Sequence, residues 1–278
     1  MIKSIFTVLL CVHMLGDFYF QTQKMADNKQ GQFSWTVCHC LIYGAGAGIL
    51  FFLFLPGMDV KYILAFVLAH ALIDIIKYAA CRLSRAKQKA IDSPRGRRNV
   101  FLIDQAAHLL VILGIAYWMR QVDITSLYRE EAGILFDAFD IPELTFLKWA
   151  AVLLVIHKPV NILIANILSW YKPSDENVSN KENVSNKEKK DASLKGESAE
   201  SDSAGTDRNA GRMIGTLERI IMAIFIAIGQ YSAVGLVLTA KSIARYDRIS
   251  KDQVFAEYYL LGTLLSTICA VVAALLFL

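Results

Sequence analysis

Seven stretches of about 20 predominantly apolar residues dominate this chain, at roughly 3–20, 35–55, 60–81, 100–119, 145–170, 213–240 and 256–278. Each is long enough to cross the roughly 30 Å hydrocarbon core of a bilayer. Inside hydrocarbon the backbone has no water to bond, so each stretch must satisfy its own amides as a helix. The fold class that follows is all-α, a polytopic transmembrane helix bundle of about seven spans. With 55% hydrophobic and 19% charged residues, the chain does not fit a soluble enzyme or a disordered regulator. Cys11, Cys38, Cys40, Cys81 and Cys269 lie within or beside the apolar runs. They read as small packing residues, which argues against a disulfide framework. The first run carries His13 and Asp17 and no small-residue cleavage site follows it, so it reads as a retained helix and not a signal peptide.

The charges are gathered between the runs. Residues 82–99 carry Arg82, Arg85, Lys87, Lys89, Arg95, Arg97 and Arg98 against Asp92 alone, whereas 120–148 hold Arg120, Arg129 and Lys148 beside six acids. The positive-inside rule puts the first loop in the cytoplasm and the second outside. Alternation then places the N-terminus outside and the loop 21–34, with Lys24 and Lys29, inside. Residues 171–212 hold 8 Lys/Arg and 9 Asp/Glu, and the hexapeptide ENVSNK occurs twice, at 176–181 and 182–187. Such a composition cannot bury a core, so 171–210 reads as a disordered cytoplasmic linker. It separates an N-terminal membrane domain, 1–170, with about five helices, from C-terminal membrane helices at 211–278. A single crossing by 213–240 is the favoured reading. It would, however, leave Lys241, Arg245, Arg248 and Lys251 outside, against the rule. The alternative is six spans plus a re-entrant hairpin turning at Gly229-Gln230.

A charge at the centre of an apolar helix costs at least about 2.5–3.5 kcal/mol, so each one calls for a partner or a purpose. His13, Asp17 and Gln21 are spaced i, i+4, i+8 on the first run. His70 and Asp74 repeat the i, i+4 spacing with Lys77 a turn further on, and Asp104 and His108 repeat it in reverse order. His39 opens the second run, and His157 and Asn161 form a further i, i+4 pair in the fifth. Opposite helix directions bring His39, Asp17, Gln21, Asp74, Lys77, Asp104 and His108 to similar depth on the cytoplasmic side. Glu218 and Arg219 would join them just after the linker, while His157 lies nearer mid-membrane.

Three chemistries fit such a set. Paired His and Asp can bind Zn²⁺, Mn²⁺ or Fe²⁺ and activate water for hydrolysis. The same residues can relay protons or cations in a transporter. Lys77, Arg219 and the basic 82–98 loop can bind anionic lipid head groups. The plainer reading of any one pair is an intramembrane hydrogen bond that holds helices together, and it weakens when three pairs share one depth. Cys38-His39-Cys40 is a poor metal motif, because i, i+2 residues diverge on a helix, and His39 reads mainly as an interfacial residue. His157 reads as a packed histidine. Gly44, Gly46 and Gly48 read as close helix packing. In the C-terminal part, Glu218-Arg219, Lys241, Arg245 and Glu257 sit at or near run ends, where interfacial salt bridges are as good a reading as a site.

The segments HMLGDFYFQTQKMADNK, HALIDIIKY and DQAAHLL resemble the DUF3307 family of uncharacterised bacterial membrane proteins, and the block beginning GRMIGTLERIIMAIF is similar to its longer members. The resemblance implies a multi-pass protein of the bacterial cytoplasmic membrane and no particular activity. HALID also resembles a family of membrane-bound metal-dependent hydrolases, whose His-Arg-Gly-x-Thr-His run is missing here. The expectation is therefore a divalent-metal site made by His13, Asp17, His70, Asp74, Asp104 and His108. Asp17, Asp74 and Asp104 would act as ligands, orienters or general base, and Lys77 would neutralise substrate charge. If the chain is an enzyme, it is a metal-dependent membrane hydrolase of a lipid-linked or phosphorylated substrate. A proton- or cation-coupled transporter and a non-catalytic scaffold or lipid-binding protein are the alternatives. Gln21, His39, His157, Asn161, Glu218, Arg219, Lys241, Arg245 and Glu257 are further candidates. The partners expected are the bilayer and its anionic head groups, with no nucleic acid.

Overall fold

In the computed structural model the described residues are 2–29, 31–83, 93–122, 134, 138, 140, 142–169, 171 and 200–278, with Pro94 and 200–210 described by backbone alone. Half of the basic loop 82–99, much of the acidic loop 120–148 and linker residues 172–199 therefore lie outside the described residues. The described part is helical throughout: α1 (Ile2–Met14), a π-helical turn (Leu15–Tyr19), α2 (Gln23–Asn28), α3 (Phe33–Phe54), α4 (Val60–Leu83), α5 (Pro94–Trp118), α6 (Glu143–Ile156), α7 (Lys158–Leu168), α8 (Glu200–Ala227), α9 (Tyr231–Ala244), α10 (Tyr246–Lys251) and α11 (Gln253–Phe277). Among them six segments are long and apolar enough to cross a membrane: Ile2–Tyr19, Phe33–Phe54, Val60–Leu83, Arg95–Trp118, Glu143–Leu168 and Gln253–Phe277.

The chain divides into two compact units, Met1–Ile162 with Ala273–Leu278 and Leu163–Val272. In the first unit the opening segment is the central one, with 67% of its apolar window buried against 17–33% for the other spans. Ile5, Val8, Leu9 and Val12 of α1 pack with Tyr43, Ala47 and Phe51 of α3, Phe66 of α4 and Ile112, Ile115 and Ala116 of α5. The short connection after Phe54 makes α3 and α4 an antiparallel pair. Tyr62 near the start of α4 meets Trp118 at the end of α5 with ring centroids 4.8 Å apart, so these two are antiparallel as well. Ser93 starts α5, its Oγ accepting from the Gly96 amide at 3.1 Å, which satisfies one of the amides a helix start leaves open. Of the three glycines in α3, Gly44 faces Val67 of α4, and a Cβ on Gly46 would lie 2.6 Å from the Phe20 ring, whereas Gly48 faces open space. Close packing is thus the role of the first two.

Two regular-looking runs are broken in the structure. The first leaves α-helical geometry at Leu15–Tyr19, where the Phe20 amide reaches back to the Leu15 carbonyl at 2.8 Å. Gln21 therefore leaves the helical stripe of His13 and Asp17. The fifth breaks at His157, because Pro159 has no amide to continue the ladder and its ring obstructs the preceding turn. The two breaks support each other: Tyr19 Oη donates to the Leu154 carbonyl at 3.0 Å, and Lys158 Nζ donates to the Phe18 carbonyl at 2.7 Å. π-Turns of this kind occur often at functional sites.

In the second unit the favoured single crossing by 213–240 is corrected. The chain stops being helical at Ile228–Gln230 and returns, with Gly229 at φ 73° where a side chain would be strained. Lys241 of α9 pairs with Glu218 of α8 across the hairpin. Two helices of 28 and 14 residues replace one span. Helix α8 also begins at Glu200, so 200–210, expected within the disordered linker, have helical backbone.

Candidate metal centre

Four spans of the first unit deliver their buried polar residues to one end of the bundle. His39 lies less than two turns into α3, about 9 Å along its axis. Asp74 and Lys77 lie in the second half of α4, Asp104 and His108 on either side of the middle of α5, and Asp17 in the π-turn that ends the first span. The antiparallel order of neighbouring helices turns these positions, which alternate between late and early in their segments, into one layer. His13, Asp17, His39, His70, Asp74, Asp104 and His108 are all buried.

The centre of the layer is His39. Its Nε2 lies 3.1 Å from Asp17 Oδ1, 3.2 Å from Asp74 Oδ2 and 3.3 Å from His70 Nε2, and His70 Nε2 lies 3.7 Å from the same Asp74 oxygen. One imidazole N–H cannot serve two carboxylates and a second imidazole together. Indeed, among the described residues Asp17 Oδ1 and Asp74 Oδ2 accept no hydrogen bond of sound geometry, although both are buried. Ligand atoms at 2.0–2.1 Å from a tetrahedral ion stand about 3.3 Å apart, which matches these spacings. The two carboxylate oxygens and two imidazole nitrogens suit a borderline divalent ion such as Zn²⁺, and also Mn²⁺ or Fe²⁺. Asp17, His39, His70 and Asp74 thus form a group that could hold a metal ion, and Asp74, Asp104 and His108 form a second group sharing Asp74.

Around this core the charges are compensated. Lys77 Nζ lies 2.6 Å from Asp74 Oδ1 and 2.9 Å from Asp104 Oδ1, bridging the two groups. Lys29 Nζ lies 3.5 Å from Asp17 Oδ1 and 3.6 Å from Asp74 Oδ2, and donates to Gln21 Oε1 at 2.8 Å. Gln105 Nε2 donates to Asp17 Oδ2 at 3.1 Å and to Asp104 Oδ2 at 3.3 Å. The outer nitrogens His39 Nδ1 and His70 Nδ1 have no hydrogen-bond partner among the described residues. Packing orients them instead: the Tyr43 ring lies parallel to His70 at 3.5 Å between centroids. Gly16 makes room for that ring, since a Cβ there would fall 2.5 Å from Tyr43 Cδ2.

The expected ligands are distributed unevenly. Asp17, His70 and Asp74 meet at the centre, while Asp104 and His108 sit across Lys77 from it. His108 Nδ1 faces its own helix, 2.9 Å from the Asp104 carbonyl. His13 lies behind, stacked on His108 at 5.0 Å and with Nδ1 3.4 Å from Tyr43 Oη. His39, read from the sequence mainly as interfacial, holds the middle position. His157 is apart, at the helix break beside the Tyr19 ring, and the Asn161 amide bonds its carbonyl at 3.2 Å. In the second unit Glu218 pairs with Lys241, Arg219 is buried against Thr216 and Ser266 hydroxyls at 3.2 and 3.0 Å, Glu257 accepts from Gln253 at 3.2 Å, and Arg245 is exposed between α9 and α10. Lys29, Gln105 and Tyr43 are not among the candidate site residues, Lys29 counting only as a topology-setting charge. Lys29 belongs to a polar loop, and Gln105 and Tyr43 are uncharged neighbours of candidates, so only the fold reveals them.

A separate cavity of about 180 Å³ lies between α1, α3 and α6. Apart from Glu143 its lining is apolar, so it offers none of the convergent donors that chemistry needs.

Residues 5–135, which contain most of α1, all of α2 to α5 and the whole His/Asp layer, match the family described as "Protein of unknown function (DUF3307)". No curated protein and no solved structure matches the chain.

Proposed function

The chain belongs to the DUF3307 family through residues 5–135, a family whose description assigns no activity, and from the geometry of its polar layer we propose a divalent-metal centre used for hydrolysis. The ion would be held by Asp17, His39, His70 and Asp74. The observation that carries this reading is the convergence of two carboxylate oxygens and two imidazole nitrogens within 4.8 Å of one another, His39 Nε2 lying 3.1–3.3 Å from the other three, with both oxygens lacking hydrogen bonds among the described residues. Buried acceptors left in this state are costly and call for a partner. A bound divalent ion would supply Lewis acidity and lower the pKa of a water.

The protein's own groups have definable tasks. Gln105 fixes Asp17 and Asp104 through its amide, holding the carboxylates in place as the hydrogen-bond partners of metal ligands commonly do. Asp104, outside the central group, is placed to accept a proton, and Lys77 to offset negative charge on a substrate. Asp17 and His39 lie towards one end of their spans, and Lys29 sits in the polar loop beyond that end, which suits a lipid-linked or phosphorylated substrate reached from that membrane surface. We place that surface on the cytoplasmic face of a bacterial inner membrane, as the basic loop at 82–99 suggests.

The test is the elemental content of detergent-purified protein beside Asp74→Asn and His70→Ala variants. Near-stoichiometric zinc, manganese or iron, lost in folded variants, is the expected result. A folded wild-type protein that retains no metal and shows no change on metal supplementation overturns the reading.

A second reading draws on one observation. The imidazoles of His39, His70, His108 and His13 follow one another at 5.4, 4.6 and 5.0 Å between centroids, spacing that suits a proton relay in a transporter. Proton flux into vesicles that is abolished by His108→Ala, in protein free of metal, would favour it.

A further inference from the structure

Resting on that reading, we infer that Lys29 and Lys77 form a phosphate subsite beside the metal centre, one that becomes competent only when the ion is bound. Both ammonium groups line a single notch together with Thr36, Asp74 and Tyr78, so the floor of the notch is a carboxylate of the central group. The two lysines belong to different elements. Lys77 is on α4, whereas Lys29 caps the end of α2 and is held by its own backbone, the Thr36 hydroxyl donating to the Lys29 carbonyl at 2.7 Å. Thr36 and Lys29 sit at the start of α3, which puts the notch at the end of the bundle and not at its middle.

Charge arithmetic gives the subsite its dependence on metal. Asp17, Asp74 and Asp104 carry three negative charges and Lys29 and Lys77 two positive ones, so with neutral imidazoles the layer sums to −1. An anion is repelled from such a place. A divalent ion changes the sum to +1 and takes over neutralisation of Asp17 Oδ1 and Asp74 Oδ2, the two oxygens over which Lys29 now leans at 3.5 and 3.6 Å. The Lys29 side chain would then be freed from those two oxygens to turn to an anion in the notch, which has no water-sized space with the lysine in its present position. Lys77 keeps its bridge to Asp74 and Asp104 and offers its remaining proton. Two ammonium donors beside a divalent ion are the chemistry that recognises a phosphate monoester. A soluble phosphate ester and the head group of an anionic lipid share that chemistry.

The test is binding of inorganic phosphate to the full chain in detergent, by equilibrium dialysis, with and without saturating Mn²⁺. Expected is about one phosphate per metal-loaded chain, at least tenfold weaker binding without metal, and at least a tenfold loss in Lys29→Gln with no fall in metal content. Lys77→Gln breaks a 2.6 Å bond to the ligand Asp74, whereas Lys29 meets the ligand oxygens only at 3.5 and 3.6 Å, so Lys29→Gln, with its metal content measured beside its phosphate binding, is the deciding variant. Nanodiscs containing phosphatidic acid identify the source: displacement of phosphate assigns the subsite to a lipid head group, and lack of displacement to a soluble ester. A metal-loaded protein that ignores millimolar phosphate, or binds it equally after Lys29→Gln, overturns this inference while leaving the metal centre standing. A protein that takes up no metal removes both.

Discussion

Both units of this protein bury charge among apolar helices, but they do so differently. In the second, Glu218 meets Lys241 across a hairpin, and the Arg219 guanidinium donates to the hydroxyls of Thr216 and Ser266. Tyr259 adds a bond to the Lys241 carbonyl at 2.9 Å. Donor faces acceptor in each of these contacts, which is what helix association in a membrane requires. In the first unit, potential ligand atoms outnumber the donors that could serve them. Asp17 Oδ1, Asp74 Oδ2 and the Nε2 atoms of His39 and His70 crowd one point, and several buried atoms remain without a hydrogen bond. Buried charge alone therefore does not mark a site. Convergence of carboxylates and imidazoles from several helices on one point, in excess of the donors that serve them, does.

The largest effect that sharpens this contrast comes from Asp74→Asn. Asp74 belongs to both groups of potential ligands and meets both Lys29 and Lys77. Replacing it removes a ligand and leaves two ammonium groups short of a counter-charge. Metal affinity should fall more than about 100-fold, beyond the range for losing a ligand's hydrogen-bond partner, as read by metal titration of the folded variant. Gln105→Ala removes only such a partner, and a fall of about 10–100-fold is expected from the same titration. Equal metal binding in all three proteins would erase the distinction between the units.

Next in size is Lys241→Met in the second unit. The Glu218 carboxylate, 15% exposed, loses the partner that crosses the hairpin. About 1–3 kcal/mol of stability should be lost, because a largely buried charge is left unpaired, while metal content stays unchanged. Thermal unfolding and elemental analysis of one preparation check both halves. The exchanged pair, Glu218→Lys with Lys241→Glu, should recover most of the loss.

The difference between the units also explains which features a one-dimensional string of residues discloses and which it hides. Apolar length identifies the membrane helices, because hydrocarbon leaves the backbone no other option. Asp17, His70, Asp74, Asp104 and His108 are legible because ionisable residues are expensive there and their i, i+4 spacing shows along the chain. His39 is not, since it opens its run and has no i, i+4 acidic partner. Its place at the centre follows from α3 being packed beside α4, so that Asp17 and Asp74 approach it from two other segments. Lys29 is hidden for the same reason, its loop folding back over the layer. Pro159 marks the break at His157, whereas the π-turn at Leu15–Tyr19 has no comparable sign. Gly229 signals the hairpin, yet only the pairing of Glu218 with Lys241 decides that the chain returns.

Two glycines offer the finest version of the comparison, because each is required by backbone or space and neither carries chemistry. Gly16→Ala would drive a methyl group to 2.5 Å from the Tyr43 ring, the ring that orients His70. Its overpacking should cost about 1–3 kcal/mol, and metal affinity should fall with it, since His70 loses the surface it rests on. At Gly229 a Cβ meets nothing within 4 Å, but φ is 73°. Only the left-handed backbone opposes Gly229→Ala, at about 1 kcal/mol. That loss should appear in thermal unfolding alone, with metal affinity untouched. A Gly229→Ala protein with weakened metal binding would mean that the hairpin supports the metal centre, and the two regions could no longer be treated as separate designs.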